Sequence, residues 1–186
     1  HAELANGYDA FAIDNSRTMQ SDRPGEDSQR ATGASLRATY TGLEGAVLTL
    51  IAAGVDSHSV HAYDGDWGNP RLWAPYTYDF TYRAQRERTT HSLEARLASA
   101  ADADHGWLVG AYLQELREWI HEHSAGSYAD PLAEFAFRTD DALASRYRAR
   151  SGALFAQFDG RLAPGLAWSL GLRAERRAAR YADAAT

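Results

Sequence analysis

The strictest constraint on this chain is a two-residue rhythm near its C-terminal end. Leu166, Trp168, Leu170, Leu172 and Ala174 take every second position, and Ala167, Ser169, Gly171, Arg173 and Glu175 fill the places between. Successive side chains of a strand point to opposite faces, so this order makes a ribbon with large aliphatics on one side and charges on the other. A helix would scatter the same residues around its circumference. The rhythm recurs at His91, Leu93, Ala95 and Leu97, with Ser92, Glu94, Arg96 and Ala98 opposite. It recurs again where Thr32, Ala34, Leu36, Ala38 and Tyr40 alternate with Gly33, Ser35, Arg37 and Thr39.

Turn chemistry divides the rest. Strands are predicted over 7–14, 29–41, 46–57, 79–99, 107–119, 141–158 and 166–181. The connections 41–45, 100–106 and 159–165 are short and rich in Gly, Pro or small acidic residues, whereas 15–28, 58–78 and 120–140 are long and polar. Long and short connections in alternation suit a transmembrane β-barrel with outer loops and periplasmic turns. Tyr40, Trp107, Phe155, Phe158 and Trp168 lie near the short turns, as the rings of an interfacial aromatic belt would. Two segments also carry helical stripes: Leu108, Ala111, Tyr112, Leu116, Trp119 and Ile120, and Leu143, Tyr147, Leu154, Phe155 and Phe158. The expected fold is all-β: an antiparallel meander, part of a transmembrane β-barrel of about seven or eight strands, with 1–186 forming part of one barrel domain.

Three stretches carry a family resemblance. S-x-E-x-R-L-x-S, a short turn, then W-x-x-G-x-Y (Ser92, Glu94, Arg96, Leu97, Ser99, Trp107, Gly110 and Tyr112) resembles two adjacent barrel strands of TonB-dependent outer-membrane receptors. Y-D-G-D-W-G-N-P at 63–70 resembles an outer loop of the same family. Residues 145–175, closing on G-L-R-x-E at Gly171, Leu172, Arg173 and Glu175, resemble a late hairpin. The resemblance implies a barrel of about 22 strands around a plug, with this chain as roughly its middle third and the plug and closing strands outside it. It implies active uptake of an iron–siderophore, cobalamin or an oligosaccharide across a Gram-negative outer membrane. The implied partners are that ligand, outer-membrane lipid and, through the plug, the inner-membrane TonB complex.

Composition sets the exclusions. The 186 residues carry a net charge of −6 and no basic surplus of the kind that binds nucleic acid. All 19 basic residues are Arg, and there is no Cys, so thiolate metal sites and Cys nucleophiles are ruled out. No apolar run is long enough for a membrane-crossing helix, which a barrel does not need. The start at His1 and the lack of a signal-peptide pattern read as a fragment cut at both ends.

No catalytic set, P-loop, G-x-G-x-x-G or H-E-x-x-H is present, so no enzyme, cofactor or metal site is expected. His121 and His123, at strand spacing, and His58 and His61 lack a recognisable third ligand. Arg146, Arg148 and Arg150 share one strand face; pairing in a polar lumen with Glu94, Glu175 or carboxylates of a plug accounts for them more simply than ligand attraction. Glu94 and Arg96 are expected in that same network. Asp64, Asp66, Trp67, Trp73, Tyr76 and Tyr78 put acids beside aromatics on one outer loop, and the first five are the candidate ligand-binding residues, the alternative being a loop ordered by its own rings. Two other functions fit the pattern: a passive porin-like or structural barrel, and a soluble carbohydrate-binding β-sandwich.

Overall fold

The computed structural model describes residues 21–100 and 105–185. They form one six-stranded sheet in the order β1-β2-β3-β4-β5-β6, each strand antiparallel to the last. The strands are β1 (Glu26–Leu43), β2 (Ala46–Asp64), β3 (Thr77–Ser99), β4 (Gly106–Asp130), β5 (Phe135–Ala163) and β6 (Leu166–Ala185), with a four-residue helix α1 (Pro70–Trp73) between β2 and β3. The all-β meander expected from the alternation is therefore present, and the two helical stripes belong to strands β4 and β5. The predicted strand at 7–14 lies outside the described residues. The sheet does not close on itself: β1 and β6 each have one neighbour only, among the described residues.

Two short turns at one end show why the chain reverses there. Gly45 (φ 70°) and Gly165 (φ 80°) supply the left-handed corner that other residues resist, and Pro164 presets the corner before Gly165. A register shift precedes each, at Tyr40/Leu43 and at Arg161/Ala163, which tightens the hairpin twist. At the opposite end the expected long loops are shorter. β2 runs on to Asp64, and β4 and β5 continue to Asp130 and Phe135 around a four-residue reversal, Pro131–Glu134. Asp130 caps that reversal by accepting from the Leu132 and Ala133 amides. The predicted loop 120–140 is thus mostly strand. It pairs without interruption from Ile120↔Ser145 to Asp130↔Phe135.

Directly paired residues share a face, so the register sorts the sheet. At the turn end one face carries Leu36, Ala38 and Tyr40; Leu48, Leu50 and Ala52; Leu93, Ala95 and Leu97; Trp107, Val109, Ala111 and Leu113; Leu154, Ala156 and Phe158; and Trp168, Leu170 and Leu172. This is an unbroken apolar band across six strands. Nothing covers it among the described residues: Leu36 is 72% exposed, Leu154 67% and Leu172 70%. In a soluble protein such a band would be hidden under a second layer. Phe155 departs from expectation, since it points to the opposite face from Phe158.

The other face at the turn end is mixed: polar on β1, β3 and β6, with Ile51 and Val55 on β2, Leu108 and Leu116 on β4 and Phe155 on β5 between. Along this face Thr49, Ser145, Ala149 and Ala153 are buried among neighbours, whereas the large side chains of the apolar band stand free. Arg96 pairs with Glu94, Arg86 and Arg88 with Glu118, and Arg173 with Glu175. Gly110 lies directly opposite Phe155, and a Cβ there would overlap the ring. The glycine of W-x-x-G-x-Y therefore makes room for an aromatic, which with Tyr112 lies under the Arg173 guanidinium at 5.9 and 5.8 Å.

Candidate ligand-facing wall at the loop end

Towards the loop end the polar face becomes aromatic. Tyr63 (β2), Tyr78, Phe80 and Tyr82 (β3), Tyr128 (β4) and Phe137 (β5) all project from it by register. Ring centroids lie 5.0 Å apart for Tyr63–Tyr82 and Tyr78–Phe80, and 5.6 Å for Tyr128–Phe137. Gly126 sits opposite Phe80, whose ring occupies the space a Cβ would fill. Strand alternation delivers the rings to one side, and the glycine leaves room for the Phe80 ring to lie over its backbone. The loop adds to the wall: Trp73, at the end of α1, meets Tyr78 edge-on at 4.9 Å. Asn69 starts that helix by accepting from the Arg71 and Leu72 amides.

The two acids of the loop turn inward. Asp66 accepts from the Gly68 amide at 2.9 Å, the Trp73 indole N–H at 3.0 Å and the Phe80 amide at 2.9 Å. Asp64 is fully buried, accepting from the Ser21 hydroxyl at 2.5 Å and the Asp66 amide at 3.2 Å. Burial pushes the Asp64 carboxyl above its ordinary range, opposed by those two donors. A strap at residues 21–25 ties the loop down. The Asp22 amide donates to the Gly68 carbonyl, and Arg23 pairs with Asp79 at 2.7 Å, which raises the Arg23 pKa.

Of the five candidate residues, Asp64 and Asp66 hold the loop in shape. Trp67 (φ 56°) and Trp73 are half-buried, and Tyr76 is exposed. Of this wall only Tyr78 was singled out from the sequence, beside the loop residues; Phe80 and Tyr82 follow it at two-residue spacing on β3, whereas Tyr128 and Phe137 join it through the register. His58 and His61 point to opposite faces of β2, and no group of three metal-ligating side chains forms among the described residues. Arg146, Arg148 and Arg150 lie on the face opposite Glu94 and Glu175, so the expected lumen pairing does not occur; Arg148 and Arg150 pair with Glu115 instead.

No family model and no curated protein matches the chain. Among solved structures it is similar to the ferric yersiniabactin uptake receptor FyuA from Yersinia pestis, at 15% identity and a TM-score of 0.42. The likeness covers 84% of this chain and 25% of the receptor, so the chain spans about a quarter of that protein's length. A likeness that small adds no argument to the strand pattern. No helix among the described residues is long and apolar enough to cross a membrane, which says nothing of a crossing by strands.

Proposed function

We propose that this chain forms part of the wall of an outer-membrane β-barrel receptor of the TonB-dependent kind, which takes up a scarce, bulky nutrient such as an iron–siderophore chelate. One observation carries the membrane part: an uncovered apolar band crosses all six strands on one face while the opposite face holds ion pairs. Trp107, Phe158, Trp168 and Tyr40 edge that band at the turn end, as an interfacial girdle would. Strands of 18 to 29 residues exceed the ~10 needed to cross a bilayer. Their loop-end halves then stand clear of lipid as a tall rim. Further strands continue the sheet at both open edges.

The receptor part draws on the motif resemblance and on the rim. The aromatic wall offers ring faces for stacking, and Trp73 extends it onto the loop that Asp64 and Asp66 brace, which also carries Trp67 and Tyr76. In this reading a plug and an inner-membrane TonB complex supply the driving force. The test is uptake of a labelled ferric siderophore by cells expressing the intact protein. Accumulation that stops when the proton-motive force is dissipated supports the receptor; uptake of small solutes indifferent to that force supports a passive pore and removes the receptor reading.

A further inference from the structure

We infer that Arg117, Arg148 and Arg180, with Arg150 and Arg176 beside them, bind the phosphate of an anionic lipid headgroup in the leaflet at the loop end. This rests on the membrane-wall reading above. Arg117 pairs directly with Arg148, and Arg148 with Arg180, so three arginines form one row across β4, β5 and β6 on the apolar-band face. Arg150 and Arg176 sit one and two rows nearer the band, opposite Ala178 and Gly152. Like charges set directly opposite destabilise a sheet unless something neutralises them.

The protein neutralises them only in part. Glu115 is shared, at 3.4 Å from Arg117, 3.2 Å from Arg150 and in an ion pair with Arg148. Arg176 and Arg180 have no ion-pair partner among the described residues. Glu87, the next carboxylate on this face, lies opposite Trp119 and 3.8 Å from the His58 ring. Arg146 stacks over Trp119 at 4.3 Å. Five arginines therefore face one shared carboxylate, around a shallow recess of about 250 Å³ lined by Arg148, Arg150 and Arg180.

Height selects the occupant. Trp107 to Arg117 is roughly 33 Å along the strand, or about 25 Å across the membrane at a ~40° tilt. That places the row at the far border of the hydrocarbon, where headgroup phosphates lie. Guanidinium forks bind phosphate oxygens bidentately, so a dianionic phosphomonoester on a lipid fits better than a monoanionic phosphodiester.

The test uses the intact protein in neutral detergent, with native mass spectrometry against a lipid A bearing a phosphomonoester, phosphatidylglycerol or inorganic phosphate. Wild type and the opposite-face control Arg173→Gln should hold lipid A, more tightly than phosphatidylglycerol. The triple variant Arg117→Gln, Arg148→Gln, Arg180→Gln should bind it about a hundredfold more weakly. The triple lysine variant, which keeps the charge and loses the fork, should bind about tenfold more weakly and carries the test if the glutamine variant fails to fold. Lipid binding unchanged in the folded variants overturns the site, as does displacement of lipid A by an equal concentration of phosphate. Heat-modifiable gel migration of the same samples separates the two levels. A wild type lacking it removes the wall reading, whereas folded variants that keep lipid remove only the phosphate site.

Discussion

The turn-end and loop-end halves of the sheet share the same strands and ladder, yet they follow different rules of composition. In the turn-end half, even positions of β6 are Trp168, Leu170 and Leu172, and odd positions are Ser169, Arg173 and Glu175. In the loop-end half the same two faces carry Arg180 and Tyr181, and β4 carries His121, Glu122 and His123. A strand between lipid and a wet interior must alternate; a strand with water on both sides need not. The boundary falls at the same level across the sheet, where Thr32, Asp56, Thr89 and Arg117 come into register.

The largest effect should come from breaking that boundary. Leu154→Arg puts a charge near the middle of the apolar band and should cost about 2–4 kcal/mol of unfolding free energy in lipid. Leu132→Arg, at the tip of the loop-end reversal, should change stability by less than ~0.5 kcal/mol. Urea unfolding of the intact protein from vesicles measures both, and equal costs would erase the distinction between the halves.

This division explains what was readable beforehand. Strands near the turns were legible because one face there is apolar across the whole sheet, which imposes the two-residue period, and Pro164-Gly165 and Gly45 mark the reversals. The segment 120–140 passed for a loop because its acids, Gly126 and Pro131 look like loop chemistry when no apolar face is required. Gly126 is in fact an aromatic's seat, visible only once Phe80 is known to lie opposite. The arginines at 146–150 were assigned to the lumen on the premise that charge faces inward. The premise holds beside Leu154 and lapses a few residues earlier in the chain, on the loop-end side of the band. Asp64 and Asp66 looked like ligand groups because sequence shows a carboxylate but not what it accepts.

Glycine substitutions sharpen the comparison next. Gly110→Ala in the turn-end half and Gly126→Ala in the loop-end half each force a ring, Phe155 or Phe80, off its seat. Each should cost ~1–3 kcal/mol by the same unfolding assay. Gly152→Ala meets only the flexible tip of Leu113 at 3.3 Å and should stay within ~0.5 kcal/mol. Asp66→Ala removes the acceptor of three hydrogen bonds and should loosen the loop locally by about 1–3 kcal/mol. Limited proteolysis within Gly65–Tyr76 should accelerate while the global unfolding midpoint barely moves. Glu94→Gln, which breaks an exposed pair with Arg96, should cost less than ~1 kcal/mol.

The proposed contact of the apolar band with lipid is open to one direct measurement. The chain has no Cys, so nitroxide labels can be placed singly along 166–183 in the intact protein in vesicles. Oxygen accessibility should peak at 166, 168, 170, 172 and 174 and fall at the residues between. Beyond Arg180, which lies in the boundary row, both faces should become open to a water-soluble relaxation agent. Labels at those five positions that are shielded from oxygen, or an oscillation with helical period, would contradict a wall standing in lipid.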